Sequence, residues 1–406
     1  MRAVFPTAQV RSRTWRTTAT LSAGVLGAGL VLAACGSSGN SSSASPSAAS
    51  SSAASSGSGT TTSSSPGASS TGGSTGKRVG VALILKALNN PYFVAMAADA
   101  KTEAAKDNVA LTVAAGTQDG DTATQIQAIQ NAISNGDKGI LITSNGNAIN
   151  SALNQAKAAG IYVIALDTPT DPTNIGDITY ATDNTAAGKL DGEYAAAKLA
   201  GKPAVIAMLD LYNNQVVSVD IDRDHGFLEG MGINPGSTTQ NGKEAKTGKY
   251  TGGKGGTYQV VCHNATQGDE ADGRTAMENC LSANSNINVV YAINEPAARG
   301  AYDALKAANK LSGVSIYAID GSCLGVANVK SGEFTADALQ YPGKMALLGV
   351  DAIATLARTG QKPKTSDGLS FYNTGTALVA STPETGVTSQ TPAAAASECW
   401  GSASGS

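Results

Sequence analysis

The sequence predicts an α/β protein of two lobes, each a doubly wound parallel sheet covered by helices. Three observations predict it. From Lys77 onward, short β-type runs alternate about ten times with amphipathic helix-type runs, the rhythm of βα units. The β-type runs are nearly continuous in apolar residues rather than alternating, as parallel strands buried on both faces require. About ten such units exceed what one compact sheet holds, so two sheets are expected.

Taken in order, strands are expected at 78–85 (RVGVALIL), 110–116, 138–144, 162–167 and 178–183, then at 204–209, 258–262, 289–294, 314–320 and 334–339. Between them fall helical segments such as 92–107, 122–134, 147–159, 184–199, 269–283, 296–309 and 342–358. In 122–134, Ile126, Ile129 and Ile133 recur at spacings of three and four, the helix period. One stretch breaks the rhythm: "GSTTQNGKEAKTGKYTGGKGG" (236–256) is rich in Gly and Lys. It reads as a solvated surface loop or long hairpin before the 258–262 strand. No GxxxxGK[ST] follows a strand there, so phosphate binding is not expected.

The first 76 residues do not look globular. Arg2, Arg11, Arg13 and Arg16 precede an apolar core from about Leu21 to Leu32, which ends in "LAAC" (Leu32 to Cys35). A basic region, a short apolar segment and small residues before the cut describe a secretory signal peptide over 1–34. The core is shorter than the ~20 residues a membrane span needs. Residues 36–76 are all Ser, Ala, Thr, Gly or Pro except Asn40. Such a segment cannot bury enough apolar surface to offset the entropy of ordering, so 35–76 is expected to be a flexible tether. Its Ser/Thr density is compatible with O-glycosylation.

The full chain has a net charge of −3; without the four leader arginines, 24 basic residues face 31 acidic ones, a balance of −7. No basic patch is present, which argues against nucleic acid as a partner. Beyond Cys35 there are four cysteines: Cys262, Cys280, Cys323 and Cys399. An even number in an exported chain reads first as disulfides, with three pairings open. Zinc is the weaker reading, since no CxxC exists and His225 and His263 are the only histidines. No metal and no cofactor are expected.

Several strands end on polar residues: Asp167, Asp183, Asp210, Asn294 and Asp320. In open α/β sheets the ligand crevice lies outside the carboxyl ends of the strands, so these five are expected to line one cleft between the lobes. Each could instead cap the helix that follows. The first strand end is the most unusual, with "KALNNPYF" (86–93) placing two amides, a proline and two aromatic rings where strand becomes helix. Pro91 suits the first turn of a helix, where its missing N–H costs nothing. Glu295 and Pro296 also read as a helix start, with Glu at the positive end of the dipole.

Six motifs in order, "LNNPYF" (88–93), "VIALDTP" (163–169), "DRDHGF" (222–227), "YAINEPAARGAY" (291–302), "YAIDGSC" (317–323) and "ALQYPGKMA" (338–346), resemble the sugar-binding proteins of ABC importers. The resemblance is to the ribose- and fructose-binding group with the type I periplasmic-binding fold. It spans roughly Lys77 to Gly401 and is closest to the fructose-binding branch, through "LDTP", "AMEN", "INEPAA" and the terminal "CWG" (399–401). It implies two lobes joined by a three-segment hinge, 77–182 with 341–374 and 183–340 with 375–401, closing on a monosaccharide. Periplasmic binding proteins are themselves a standard example of hinge closure. The ligand set it implies is Asn90, Tyr92, Phe93 and Asp167 from the first lobe, Arg223, Asn294 and Asp320 from the second, and Gln340 near the hinge. Lys86 falls at a position that meets ligand in fructose-type members. The resemblance also implies a Cys323–Cys399 disulfide; Cys262, ending a strand, and Cys280, in the next helix, are close enough in chain to form the other. "LAAC" resembles a lipobox, which implies a lipid on Cys35 and an anchor on the outer face of the cytoplasmic membrane. The implied partners are a membrane-embedded ABC permease with its ATPase subunits, and the implied state is a monomer.

Two departures from the ribose type stand out. Asp167 is followed by Thr168 where those proteins have Arg, and "TQG" (266–268) stands where a second-lobe aromatic is expected. A fructose-like hexose or a pentose is the expected ligand, and the two departures count against ribose itself. The residue chemistry supports a sugar independently: carboxylates, amides and a guanidinium grip hydroxyls with charge-assisted bonds, and aromatic rings cover C–H faces. Other readings are a binder of another polyol or signal molecule coupled to sensing, and an exported sugar-acting enzyme. An enzyme is not expected, because no nucleophile–base pair is visible. LacI-type regulators share the fold but carry a DNA-binding headpiece where this chain has leader and tether.

Overall fold

The computed structural model describes residues 78–213 and 216–403. The expected signal peptide, Cys35 and the tether lie outside the described residues. The first half of the chain runs β1 (Val79–Ala87), α1 (Pro91–Lys106), β2 (Val109–Gly116), α2 (Thr122–Asn135), β3 (Gly139–Ile142), α3 (Asn150–Ala158), β4 (Tyr162–Leu166), β5 (Ile178–Ala181) and α4 (Asn184–Leu199). It continues with β6 (Ala204–Asp210), α5 (Ser218–Met231), β7 (Thr247–Tyr250), β8 (Gly256–Ala265), α6 (Glu270–Ala283), β9 (Val289–Ala292), α7 (Glu295–Ala307) and β10 (Ser315–Asp320). Last come α8 (Cys323–Ser331), β11 (Ala336–Leu339), α9 (Pro342–Thr359), β12 (Tyr372–Asn373), β13 (Ala377–Ala380) and α10 (Pro392–Ala395).

The strands form two sheets, ordered β12-β5-β4-β3-β1-β2 and β13-β11-β10-β9-β6-β8-β7. Within each, five strands repeat one doubly wound order in which the second strand lies outside the first. The winding therefore reverses between β1 and β3, and again between β6 and β9, and such reversals open ligand crevices at the carboxyl ends. Apolar side chains fill both faces of each sheet. On the first, Met96 and Met345 lie on one side and Ile129 and Leu153 on the other; on the second, Phe227 and Tyr194 oppose Met277 and Leu305. That double coverage is why the strand sequences read as unbroken apolar runs.

Three features sharpen the expectation. The second sheet is not purely parallel, because β7 and β13 pair antiparallel at its two edges. The 236–256 stretch resolves into the hairpin alternative, its β7 arm lying on β8. Helix α5 was not among the segments picked out by periodicity, since it is buried on nearly every side. It packs against α4 through glycines. A Cβ on Gly188 would lie 2.1 Å from Arg223 O, and one on Gly226 2.3 Å from Thr185 O.

The chain passes between the sheets three times: after β5, after β11 and between β12 and β13. Disulfides join Cys262 to Cys280 and Cys323 to Cys399. The first ties β8 to α6, and the second holds the C-terminal segment against the start of α8. Among the described residues no helix is long and apolar enough to cross a membrane.

Candidate functional site

The site begins at the end of β1. Its last turn is braced by Gln125 of α2, a fully buried amide that donates to Leu85 O (3.1 Å) and Thr143 O (2.7 Å) and accepts from Asn145 N (3.0 Å). Lys86, held there by its own N–H to Thr143 Oγ1 (2.7 Å), is 3 % exposed. Two residues later the chain turns into α1. Asn90 caps that helix, accepting from Tyr92 N (2.9 Å), and Pro91 takes the first position. Capping uses the Asn90 carbonyl and leaves its amide nitrogen for another acceptor. Tyr92 and Phe93 sit in the first turn with rings edge to face at 5.3 Å.

Asp167 is the hub. It follows β4 with φ +63°, a left-handed conformation that Asp tolerates better than most residues, and its carboxylate is buried. Tyr92 donates to Oδ1 (3.1 Å) and Thr168 to Oδ2 (2.8 Å). Two cations face it, Lys86 Nζ and Arg223 Nη2, each at 3.8 Å. The positive charge around Asp167 comes from one residue of each wall, Lys86 and Arg223, while its neighbour Thr168 supplies only a hydroxyl.

The opposite wall comes from the second sheet. Arg223 of α5 donates Nε to Asn184 Oδ1 (2.7 Å) and Nη1 to Ile293 O (3.0 Å). It is therefore an interior residue, 5 % exposed, rather than a surface one. Asn294 caps α7, accepting from Ala297 N (3.0 Å) and donating to Gly268 O (2.9 Å). Asp320, at the end of β10, accepts from Glu295 N (3.3 Å) and from Gln340 Nε2 (3.1 Å). Burial, reinforced by the neighbouring Glu295 charge, pushes its carboxyl well above the usual carboxylate range. Burial and the charge of Asp167 likewise push the Tyr92 phenol up.

Eight of the nine expected ligand contacts line one cavity: Lys86, Asn90, Tyr92, Phe93, Asp167, Arg223, Asn294 and Asp320. Gln340 stands behind Asp320 and orients it. Two of the five strand-end residues expected at the cleft are elsewhere. Asp183 caps α4 through Ala186 N (2.9 Å). Asp210 turns away into a buried cluster around His263. Their positions at strand ends are alike in sequence, but the side chains point to different faces.

The cavity also holds residues the sequence reading missed. Asp119 lies beyond the end of β2; burial raises its carboxyl, while Lys86 pulls it back down. Its signal was the polar "GTQDGD" after an apolar strand. Leu211, Val219 and Ile293 supply apolar lining from the second lobe, which contributes no aromatic ring to the cavity lining. The turn at Gly268 (φ +72°) runs so close that a Cβ there would meet Leu211 Cδ1 at 3.0 Å. Trp400, beside the second disulfide, donates Nε1 to Asp320 O (3.0 Å) and meets the Tyr92 ring edge-on at 5.4 Å. It touches both walls at once.

The cavity is small, about 30 Å³, against ~300–1,000 Å³ for ligand clefts in general. A larger groove of about 790 Å³ runs along the outer side of the same seam. It shares Asn90 and Asp320 but not Lys86, Asp167 or Arg223, so the convergent charges belong to the small cavity. As built, the walls are closed on one another, and admitting a sugar-sized molecule requires them to part.

A family model described as a periplasmic binding protein domain matches residues 81–362. The ribose import binding protein RbsB of Salmonella typhimurium is 28% identical over 285 residues, covering 70% of this chain and 86% of that protein. The D-apiose import binding protein of Actinobacillus succinogenes is 27% identical over 286 residues, covering 70% and 84%. Among solved structures, an ABC transporter periplasmic solute binding protein from Actinobacillus succinogenes 130z with bound D-allose superposes with a TM-score of 0.62. That pair shares 23% identity and covers 75% of this chain and 98% of the other.

Proposed function

The chain belongs to the periplasmic binding protein domain family, and from that footing we propose that it captures a monosaccharide, a fructose-like hexose or a pentose, outside the cytoplasm. Closure of the two lobes, 77–182 with 341–374 and 183–340 with 375–401, would enclose the sugar, which is handed to an ABC permease and its ATPase subunits. The protein acts as a monomeric binder held to the membrane by a lipid on Cys35, and performs no chemistry on its ligand.

One observation carries the reading. A single cavity between the sheets gathers three carboxylates, a lysine, a guanidinium and two amides with Tyr92 and Phe93. Hydroxyls both donate and accept, so a sugar can bridge Asp167 or Asp320 to Arg223, Lys86 or Asn90, while its C–H face meets the rings. Bonds to charged partners contribute ~1.5–3 kcal/mol each. The names of the relatives, import binding proteins for ribose and apiose, support the same class. Lys86 in the cavity and Thr168 in place of an arginine support a sugar other than ribose.

The test is a thermal-shift panel of monosaccharides, polyols and nucleosides on the mature chain. One sugar is expected to raise the melting temperature by an amount growing with the logarithm of its concentration. No shift with any compound, or turnover of a sugar, overturns the proposal.

A further inference from the structure

Behind the second-lobe wall of the cavity lies a buried cluster that the sugar reading does not use. His263 of β8 is 13 % exposed at its side chain, and its Nδ1 lies 2.9 Å from Asp210 Oδ2 and 3.7 Å from Asp224 Oδ2. These three ligand-type atoms all lie within 4.8 Å of one another. On the other side of the ring, Nε2 lies 3.2 Å from Glu244 Oε1, which Lys246 also holds at 2.8 Å. Asp224 is fully buried and neither of its carboxylate oxygens accepts a hydrogen bond; Asp210 Oδ1 is likewise without a donor. A buried carboxylate with no donor is costly unless it stays protonated or a cation compensates it, and here an imidazole nitrogen and a second carboxylate face the same point.

We propose that Asp210, Asp224 and His263 form a site for one divalent first-row cation, Zn²⁺ foremost, ligated by the two carboxylates and by Nδ1 of the imidazole. One nitrogen and two carboxylate oxygens form a donor set that suits Zn²⁺, and two carboxylates balance its charge. Bonds of ~2.1 Å place neighbouring ligand atoms ~3.0–3.4 Å apart in octahedral or tetrahedral geometry. The two Nδ1-to-oxygen distances bracket that range. Glu244 takes the outer position: a ligating histidine commonly donates its other N–H to a carboxylate, which fixes tautomer and orientation. The Gly- and Lys-rich 236–256 stretch thereby acquires a role, since it brings Glu244 to Nε2 and places Gly242 over the ring, where a Cβ would lie 3.6 Å from it. The expectation of no metal came from the cysteines, and the histidine's neighbours are distant in sequence.

The competing arrangement is an imidazolium held by the same acids. Burial lowers the pKa of His263, but hydrogen bonds to Asp210 and Glu244 outweigh it and raise it to about 10. On the proposal the cation takes the place of the Nδ1 proton, which is released.

Chelator-stripped mature protein titrated with ZnCl₂ decides between them. One Zn²⁺ per chain is expected, with a melting temperature that rises with the logarithm of free zinc. His263→Gln and Asp224→Asn should abolish the rise, and Glu244→Gln should weaken binding ~10–100-fold. Asp351→Asn, the exposed member of the Glu103/Asp107/Asp351 cluster, should leave it unchanged. No zinc-dependent rise in the unmodified chain, or undiminished binding by His263→Gln, overturns the proposal. Should those variants fail to fold, ¹⁵N NMR of the unmodified chain serves, because it has only two histidines. Zinc is expected to shift the Nδ1 resonance of His263 to a ligated value while Nε2 keeps its proton. Both nitrogens protonated and unmoved by zinc overturns it.

Discussion

Asp320 illustrates how a single residue divides between ligand and scaffold. It lines the cavity, yet it also accepts from Gln340 and the Glu295 backbone. Asp320→Asn keeps the side chain's shape and one acceptor while removing a carboxyl that a bound hydroxyl could turn into a charged partner. Sugar affinity should fall ~10–100-fold, the loss of one charge-assisted hydrogen bond, with the ligand-free melting temperature moved little. Calorimetric titration checks it, and unchanged affinity removes Asp320 from the ligand set. Asp191 of α4 is the opposite case, remote in role and fully buried, with neither oxygen accepting a hydrogen bond. Burial raises its carboxyl well above the usual range, among Tyr291, Tyr317 and Asp337. The unfolded chain ionises this group near pH ~4 while the fold keeps it neutral, so native stability falls as pH rises from there. Asp191→Asn does not titrate, so its stability relative to the unmodified chain should grow from pH ~4 to neutrality. Urea melts across that interval check it, and a constant difference counts against the assignment. Residue types at strand ends were readable from sequence. Which of them would face the cavity was not, because Asp167, Asp183 and Asp210 occupy equivalent positions and differ only in the direction the local backbone gives them.

Among the elements, the α4–α5 pair does the most to place Arg223. Gly188 and Gly192 on one helix meet Gly226 and Gly230 on the other, with no room for a side chain: a Cβ on Gly192 would lie 2.1 Å from Phe227 O. Alanine favours a helix over glycine by ~1 kcal/mol, but overpacking a tight contact costs about 1–3 kcal/mol, and backbone offers little relief. Gly226→Ala should therefore destabilise the fold in urea denaturation. It should also weaken sugar binding, because Arg223 lies one turn away on the same helix. A stabilised variant with full affinity contradicts this packing account. The glycines were visible as letters, but α5 buries its charged residues along with its apolar ones, so no polar/apolar periodicity marks it. Its partner helix could be identified only once the two were seen in contact. The disulfides follow the same logic: four cysteines were countable in the sequence, whereas Cys323 and Cys399 stand 76 residues apart and meet only in the fold.

For the whole molecule, the decisive relation is between two sheets of repeated winding order, linked by three crossings, and a cavity too small for a sugar. Opening at those crossings is required for entry. Small-angle scattering of the mature chain should show a radius of gyration that falls when the sugar found in the thermal panel is added to saturation. No change on ligand addition argues against lobe closure. By itself, the sequence determined the α/β class, the two-sheet architecture and the residue chemistry that meets hydroxyls, since periodicity, apolar runs and residue type are local properties. Only the tertiary structure decided which strand-end carboxylates converge, that Trp400 bridges both walls, and that Asp210 and Asp224 close on His263. Those relations join residues far apart in the chain, and their geometry is set by packing rather than by any neighbouring residue.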